Sequence, residues 1–338
     1  DYLLVTFFSP SGYEVIKNQN LAHATLYLPL DTSKNAAQFI QHFQPKITFF
    51  VKYEFWLNLL NEAKKQGSDL YLMSAIFRSD QPFFKWYGGA FLKTLKTFDW
   101  IFVQNANSLE KLTSINVQQA SLAGDTRYDR VYERSLERNT FPFLANWLGE
   151  EKAFILGSTW SADENITIDY LNKIGTIKKV ILAPHEVDEQ HISEVTSKLK
   201  IPFQRFTEVE QIKKINDDTQ IIVVDCIGKL ADLYRYCDIA YVGGGFGTGL
   251  HNILEPAVYG SPVLFGPEIE KFPEAKEFVD KGIGFIVENA LSFELIFQNV
   301  FNRRDELQIL VKEFMEEKRG AKKEIVALLS NKYLTPRA

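Results

Sequence analysis

The sequence has little of what several protein classes require. It holds only two cysteines among 338 residues, Cys226 and Cys237, which argues against a disulfide scaffold and predicts two reduced thiols. No run approaches the ~20 apolar residues that a transmembrane helix needs. The net charge is −5, so the composition lacks the basic excess of a nucleic-acid-binding protein. The spacings CxxC, HxxxH and GxSxG are missing as well, and we predict no metal site.

Short runs rich in valine, isoleucine and phenylalanine alternate with helical patterns along most of the chain. Hydrophobic residues make up 46% of the sequence, which is ample for buried cores. Strands that are apolar on both faces and separated by helices are typical of parallel sheets covered on both sides. We therefore predict an α/β protein with two doubly wound Rossmann-like domains that face each other across a cleft. The predicted strands are 3–8, 24–28, 47–51, 70–74, 100–103, 153–156, 180–183, 221–225, 239–242 and 263–265.

The length predicts two domains, because 338 residues exceed the usual size of one. A polar stretch interrupts the alternation near residues 134–140, and we place the domains at residues 1–148 and 149–304. Residues 305–338 form a long amphipathic pattern, with a kink at Gly320, which we interpret as a C-terminal helix that returns toward the first domain. The chain starts with Asp1 inside a strand pattern, so we expect the first domain to be incomplete at its start.

The string GGGFGTGLHNILEP, residues 243–256, follows the predicted strand 239–242. Glycines permit close backbone approach, and a helix that begins near Asn252 would direct its N–H groups at an anion. The spacing does not fit the dinucleotide pattern GxGxxG, and no Gly-Lys-Ser/Thr follows as in a P-loop. An ordinary tight turn remains an alternative, and a phosphate site for a nucleotide-sugar is favoured. His251 is equally compatible with a structural role, and Glu255 with a helix-start residue.

Polar residues and glycines follow several other predicted strands. In doubly wound folds, ligands bind beyond the carboxyl ends of the strands, so these residues are candidate ligand contacts. Each also has an ordinary structural explanation, namely turn chemistry, a helix cap, an ion pair or a solvated charge. The candidates are Ser9, Ser11, Gly12, Lys52, Glu54, Arg78, Arg127, His185, Gly228 and Lys229.

Taken together, these strings resemble the 3-deoxy-D-manno-octulosonic acid (Kdo) transferases, which have the two-domain GT-B glycosyltransferase fold. TFFSPSG resembles T-x-x-S/T-P-S/T-G, YEFWLN resembles T-E-L-W-P-N, and GDTRYD resembles G-N/S-x-K-F/Y-D. APHEV and DCIGKL stand where P-R-H-P-E and D-T-x-G-E-L are common. The most specific match is GGGFGTGLHNILEPAVYGSPVLFGP, which resembles G-G-S…G-G-H-N-x-L-E-A/P-A-x-x-x-P-V-x-x-G-P.

The resemblance implies an inverting transfer of Kdo from CMP-Kdo to a lipid A precursor, lipid IVA, in lipopolysaccharide biosynthesis. The first domain would serve the acceptor side and the second would bind the CMP-sugar, without a metal, a cofactor or a nucleic-acid partner. By match to the family's motifs, the CMP contacts would be Pro184, His185, Ile227, Gly228, Lys229, His251, Asn252, Ile253, Leu254 and Glu255. Lys52, Glu54 and Arg127 would line the reaction centre, and Ser9, Ser11, Gly12 and Arg78 the acceptor side.

The chain departs from the family's motifs at five of the matched positions. Leu57 replaces the family's proline, Arg127 its lysine, His185 its arginine, Cys226 its threonine and Lys229 its glutamate. Arg127 keeps the charge of lysine but not its geometry. His185 replaces a permanent cation by a group that is neutral over part of the physiological pH range.

The resemblance further implies a general-base glutamate in an S/A-x-G-E segment and a membrane-associating region before it. Neither pattern occurs in the sequence. We therefore expect the base and the membrane anchor upstream of Asp1, with the protein at the cytoplasmic face of the inner membrane. The chain alone would then bind the donor but catalyse poorly, because it would lack the base that deprotonates the acceptor hydroxyl.

Two other functions remain open from the sequence. One is a GT-B enzyme that uses a UDP-sugar, either a glycosyltransferase or a UDP-sugar epimerase, since the glycine loop and the glutamate occur in GT-B enzymes generally. The other is a non-catalytic module that binds a nucleotide-sugar or lipid A. Selective binding of CMP or of UDP distinguishes the first from Kdo transfer.

Overall fold

The computed structural model describes residues 2–137, 139–151, 153–173 and 179–333. The chain divides into two compact units, one formed by residues 1–126 with residues 320–338 and the other by residues 127–319. We refer to them as unit 1 and unit 2. In both, parallel strands are connected by helices, which confirms the predicted α/β fold class.

Unit 1 begins with strands and helices in strict alternation. They are β1 (Leu4–Phe7), α1 (Pro10–Ile16), β2 (Ala24–Tyr27), α2 (Ser33–Phe43), β3 (Ile47–Val51), α3 (Leu57–Lys65), β4 (Asp69–Ala75), a 3-10 turn (Pro82–Phe84), α4 (Gly89–Leu95), β5 (Trp100–Val103), α5 (Ala106–Ser114) and β6 (Ala120–Leu122). Strands β1 and β2 form a parallel pair, and a four-stranded parallel sheet has the order β3-β4-β5-β6.

Unit 2 contains most of the remaining elements. They are α6 (Thr126–Ser135), which starts at the boundary, α7 (Pro142–Leu148), β7 (Ala153–Thr159), α8 (Ser161–Leu171), β8 (Val180–Pro184), α9 (Glu189–Ser197), β9 (Phe203–Arg205), α10 (Phe206–Ile212), β10 (Ile221–Val223), α11 (Leu230–Leu233), a 3-10 turn (Tyr234–Tyr236), β11 (Cys237–Val242), α12 (Leu254–Ala257), β12 (Val263–Phe265), α13 (Pro273–Asp280), β13 (Gly284–Ile286), α14 (Ala290–Asn302) and α15 (Arg304–Glu317). The last helix, α16 (Ala321–Tyr333), belongs to unit 1.

The sheet of unit 2 is buried on both faces. All seven strands are parallel, in the order β13-β12-β11-β7-β8-β10-β9. Successive residues of β7 belong to different apolar clusters, Ala153 and Ile155 to one and Phe154 and Leu156 to the other. Both faces are therefore covered, as the continuous apolar strands predict.

The strand order of unit 2 reverses beside β7. On one side of this first strand the sheet continues with β8, β10 and β9, and on the other side with β11, β12 and β13. In open α/β sheets, ligands bind outside the carboxyl ends of the strands at such a reversal. Here that position lies between Trp160, which follows β7, and Gly243, which follows β11.

The division between the units falls at residues 126/127, earlier than the predicted residue 148. The reason is that α6 and α7 pack on the core of unit 2: Tyr128, Val131, Phe143 and Leu148 belong to its larger buried cluster. Residue 138 of the polar stretch and residue 152 lie outside the described part.

The predicted C-terminal helix is two helices. Gly320, with a φ of +118°, separates α15 from α16. Val311 of α15 is buried in the core of unit 2, whereas Ile325 of α16 is buried with Tyr71 in unit 1. Only the second part of the pattern therefore returns to the first unit, and residues 334–338 lie outside the described range. Within the described residues, no helix combines the length and the apolar character needed to cross a membrane.

Candidate functional site

The glycine loop, residues 243–249, is shaped by close contacts with neighbouring backbone. An added Cβ at Gly243 would lie 2.2 Å from the carbonyl oxygen of Ser158, and one at Gly245 would lie 2.7 Å from the backbone nitrogen of Gly266. Any side chain at these two positions would collide with the ends of β7 and β12. Packing between strand ends thus requires both glycines, whether or not a ligand is present.

Asp163 fixes the loop to the neighbouring strands. This fully buried residue lies in the first turn of α8, where the helix dipole favours negative charge. Its carboxylate accepts hydrogen bonds from Trp160 N at 2.9 Å, from the Tyr241 hydroxyl at 2.7 Å and from Gly244 N at 3.0 Å. Burial and the Asp163 carboxylate raise the pKa of Tyr241, so its hydroxyl stays protonated and donates.

Three aromatic rings meet beside the glycine loop. The Trp160 and His185 rings stack with centroids 4.3 Å apart, and the His185 and His251 centroids are 4.6 Å apart. The indole Nε1 of Trp160 donates to Nε2 of His251 at 3.2 Å. Backbone hydrogen bonds hold both histidines, from His185 N to Thr159 O and from His251 N to Gly243 O. The structure thus brings together the two histidines that the sequence predicts at separate strand ends.

The environment of His251 favours its neutral form. Burial lowers the pKa of this half-buried imidazole, and the neighbouring His185 lowers it further, while Asp163 acts in the opposite direction. The site therefore offers aromatic faces and neutral hydrogen-bonding groups around His251 rather than a fixed cation there.

The segment after His251 exposes some predicted contacts and buries others. Ile253 and Leu254 are 1% and 0% exposed, so their side chains pack in the core and only their backbone can meet a ligand. Asn252 is exposed, and its Nδ2 donates to Glu255 Oε1 at 3.2 Å. Burial raises the pKa of Glu255, although Asn252 and the arginines at positions 130 and 134 lower it in part.

The helix of this segment is shorter than predicted. We expected a helix from near Asn252, but α12 is a single turn, Leu254–Ala257. It ends before Gly260, whose φ of +90° turns the chain toward β12. With one turn of aligned peptides, the dipole of α12 contributes little to anion binding.

A second buried carboxylate lies next to Asp163. Glu164 accepts hydrogen bonds from the Thr159 hydroxyl at 3.1 Å and contacts His191 Nε2 at 3.0 Å through the same oxygen, Oε1. Among the described residues its other oxygen, Oε2, is buried without a partner. Burial raises the pKa of Glu164, against the opposing effect of His191. Because its side chain is fully buried, Glu164 is a structural rather than a ligand-facing group.

The other predicted donor contacts lie at the ends of β8 and β10. Pro184 is the buried last residue of β8. Ile227 is 84% exposed, and Gly228 has a φ of +88°. Lys229 Nζ lies 2.6 Å from Glu210 Oε1, and this hydrogen bond raises the pKa of Lys229. The cation is thus already paired with a carboxylate of α10.

The three predicted reaction-centre residues each have a defined neighbour. Arg127 Nη1 lies 2.7 Å from Glu274 Oε1 within unit 2. In unit 1, Lys52 Nζ lies 3.9 Å from Asp125 Oδ2, and Glu54 accepts a hydrogen bond from the indole of Trp56.

Lys52 also has a strained backbone. Its φ is +61°, in the left-handed region, and it follows the last residue of β3. A non-glycine residue in this conformation costs about 1–3 kcal/mol, and such strain concentrates at functional sites. Ser74 at the neighbouring strand β4 has a φ of +51°, so two adjacent strand ends of unit 1 carry the same kind of strain.

The predicted acceptor-side residues also lie in unit 1. Ser9 is exposed and precedes α1, and an added Cβ at Gly12 would lie 2.5 Å from the Phe7 ring. Ser11 belongs to α1, and its side chain lies outside the described part. The exposed Arg78 donates to the Tyr53 hydroxyl at 3.3 Å.

Sequence reasoning missed Trp160 and Asp163, which organise the reversal point of the sheet. The string TWSADE, residues 159–164, has acidic residues in the first turn of a helix, a helix-start signal that could have identified them. For metals, a search of the described residues finds no group of three or more His, Cys, Asp or Glu residues that could hold an ion.

Comparison with known proteins shows which family the first part of the chain resembles in sequence. Residues 2–130 match the family described as 3-Deoxy-D-manno-octulosonic-acid transferase (kdotransferase). A bifunctional glycosyltransferase/methyltransferase of Fusobacterium nucleatum subsp. nucleatum is 25% identical over 328 residues, which are 94% of this chain and 51% of that protein. A 3-deoxy-D-manno-octulosonic acid transferase of Aquifex aeolicus is 27% identical over 317 residues, 91% of this chain and 80% of that protein.

Solved structures support the fold class. A UDP-GlcNAc 2-epimerase from Methanocaldococcus jannaschii matches with a TM-score of 0.56 and 14% identity, over 98% of this chain and 91% of that one. At this identity the likeness concerns the fold alone, and it confirms the GT-B class with two Rossmann-like units. The family match and the two relatives confirm the resemblance stated from the motifs.

Proposed function

From the match of residues 2–130 to the 3-deoxy-D-manno-octulosonic-acid transferase family, we propose that the chain is an inverting Kdo transferase. Its donor is CMP-Kdo, and its acceptor is a lipid A precursor, lipid IVA, at the cytoplasmic face of the inner membrane. Unit 2 binds the donor and unit 1 the acceptor. The acceptor oxygen attacks the anomeric carbon as a general base takes the proton of its hydroxyl, and CMP leaves with the electron pair of the broken bond.

One observation supports donor binding in unit 2 most strongly. At the reversal of strand order, the glycine loop contacts His251, whose ring centroid is 4.6 Å from that of His185, and Glu255 follows on α12. The glycine loop supplies backbone close to a phosphate, the imidazoles supply hydrogen-bond donors, and Glu255 accepts from ribose hydroxyls. This combination suits a nucleotide with a single phosphate at the position where such sheets bind ligands.

Isothermal titration calorimetry with CMP and with UDP tests this proposal. We expect CMP to bind and UDP to bind far more weakly. Glu255→Gln should weaken CMP binding about tenfold, since it removes a charged acceptor of a hydrogen bond. Glu270→Gln is a matched control, because Glu270 is an exposed carboxylate of the same unit whose partner is Lys276. Its CMP affinity should equal that of the wild type.

The same titration distinguishes the alternatives. Binding of UDP without CMP would refute the proposal and favour a UDP-sugar glycosyltransferase or epimerase. Binding of CMP without any transfer of Kdo would favour a non-catalytic binding module.

The surface of unit 1 offers support for a membrane contact. Trp86 and Tyr87 are 96% and 58% exposed, and Phe91 is 47% exposed. The exposed Lys85 and Lys93 lie in the same segment. Exposed aromatic rings beside lysines suit the interface of an anionic bilayer, where the rings enter the headgroup region and the cations pair with phosphates.

Co-sedimentation with vesicles tests this part of the proposal. We expect the chain to sediment with vesicles of phosphatidylglycerol and less with phosphatidylcholine. The double substitution of Trp86→Ala with Tyr87→Ala should reduce the bound fraction several-fold. Ile309→Ala is the control, because Ile309 is an apolar side chain of unit 2 that is 59% exposed. Equal binding of the double variant and the wild type would contradict the membrane contact.

A further inference from the structure

Trp160 occupies the centre of the reversal point but is not one of the predicted donor-site residues. It is the first residue after β7 and caps α8, where its backbone N–H donates to Asp163 Oδ2 at 2.9 Å. Its ring stacks on His185, with an interplanar angle of 24°. The hydrogen bond to Asp163 fixes the backbone of Trp160, and the stack on His185 orients its indole beside the histidine pair.

The hydrogen bond from Trp160 determines the tautomer of His251. An indole N–H is a donor only, so His251 Nε2, at 3.2 Å, must be the acceptor and carry no proton. In a neutral imidazole the proton then lies on Nδ1, because the bond made by one ring nitrogen fixes the state of the other. A protonated His251 would place an N–H against the indole N–H.

The other ring nitrogen is available to a ligand. Nδ1 of His251 has no hydrogen-bond partner among the described residues, and this nitrogen is not fully buried. It is therefore reached by solvent. The ring also packs against the glycine loop, since an added Cβ at Gly244 would lie 3.1 Å from His251 Cδ2. Because Cδ2 and Nδ1 are on opposite edges of the imidazole, the Nδ1–H lies on the edge away from Gly244, where solvent reaches it at the reversal point.

We propose that Trp160 is a positioning residue that holds His251 as the Nδ1–H tautomer, so that this N–H donates to the phosphate of the donor nucleotide. The inference rests on the proposed function for the identity of the nucleotide. His251 binds the phosphate through a neutral, oriented donor rather than through a charge. Three groups act on the protonation of His251: His185 just after β8, Asp163 in α8, and the Trp160 indole just after β7.

Histidine spectra test the positioning directly and without any ligand. Long-range proton–nitrogen correlation distinguishes the two tautomers, and His251→Gln assigns the signal among the five histidines. In the wild type we expect the pattern of a protonated Nδ1 and an unprotonated Nε2. A wild-type spectrum with the proton on Nε2 would overturn the proposal, and this measurement depends on no variant of Trp160.

Trp160→Phe removes the N–H but keeps a ring to stack on His185. We expect His251 to become a mixture of tautomers and its pKa to rise, because the bond that favoured the unprotonated Nε2 is lost. CMP binding at neutral pH should weaken about tenfold, as for the loss of one oriented hydrogen bond. As the pH falls, the variant should regain affinity through a cationic His251, whereas wild-type affinity stays flat over the same range.

Trp147→Phe is the matched control. Its indole also donates one hydrogen bond, to Thr219 O at 3.0 Å, on another side of unit 2. It should keep the wild-type tautomer and pH profile. If Trp160→Phe behaves in the same way, the positioning role is refuted. If the wild type shows the Nδ1–H tautomer but does not bind CMP, the proposed contact with the phosphate is refuted together with the proposed function. The effect of Trp160 on the tautomer of His251 is then still supported.

Discussion

Replacing Asp163 by alanine should destabilise unit 2 strongly. The substitution leaves three donors without an acceptor, namely Trp160 N, the Tyr241 hydroxyl and Gly244 N. An unpaired buried donor costs about 1–3 kcal/mol. A water molecule can enter the space and satisfy part of the loss, so we expect the free energy of unfolding to fall by about 3–5 kcal/mol. For a unit of this size that corresponds to a Tm lower by about 6–20 °C.

Asp163→Asn is the matched variant. The amide oxygen can accept from Trp160 N and Gly244 N, and the amide nitrogen can donate to the Tyr241 hydroxyl, which also accepts. The number of hydrogen bonds is kept and only the negative charge is lost. We expect a loss of about 1–2 kcal/mol, the difference between charged and neutral hydrogen bonds.

Denaturant unfolding followed by tryptophan fluorescence and circular dichroism measures both changes. Tyr241→Phe belongs in the same series, because it removes one of the three donors and should cost about 1 kcal/mol. An alanine variant as stable as the wild type would refute the reasoning. So would an asparagine variant that loses as much stability as the alanine variant.

Three further changes test other parts of the account. Gly245→Ala places a methyl group 2.7 Å from the backbone of Gly266 and should lower the Tm, whereas Gly89→Ala, which meets no atom within 4 Å, should leave the Tm unchanged or raise it. Because burial and a neighbouring histidine lower the pKa of His251 from 6.5, the unfolded chain binds a proton first, so the free energy of unfolding should fall as the pH drops below about 6.5. His251→Gln should flatten this dependence in a pH series of denaturant titrations. Glu210→Gln removes the partner of Lys229 and should lower the lysine pKa, measured by NMR, with a stability change below about 1 kcal/mol.

The three strands that the sequence analysis missed all lie at sheet edges, although the edge strands β1, β2 and β3 were predicted. Strands β6, β9 and β13 each contain three residues and stand at the ends of their sheets. An edge strand has one partner and needs no continuous apolar run, so its composition resembles that of a loop. Central strands such as β5 and β12 had the predicted bounds because burial demands apolar residues throughout.

The site was predictable where a glycine or histidine directly follows a strand, and not where the strand end was misplaced. The strand pattern of residues 153–156 ended at Gly157, but β7 continues to Thr159. Gly157 does not end the strand. An added Cβ at this position would lie 1.9 Å from the Tyr234 hydroxyl, so the glycine makes room for the Tyr234 side chain. The true strand end presents Trp160, and no local pattern predicts that its indole meets His251 from a different part of the chain.

The position of the donor nucleotide is the central claim, and indole signals test it directly. The chain has five tryptophans, and Trp160→Phe identifies the indole N–H signal of Trp160 in a proton–nitrogen spectrum. On titration with CMP, we predict that the Trp160 signal shifts in a saturable way while those of Trp100 and Trp147 stay in place. A CMP-induced shift confined to the other tryptophans, or no shift at a CMP concentration that saturates binding by calorimetry, would contradict the account.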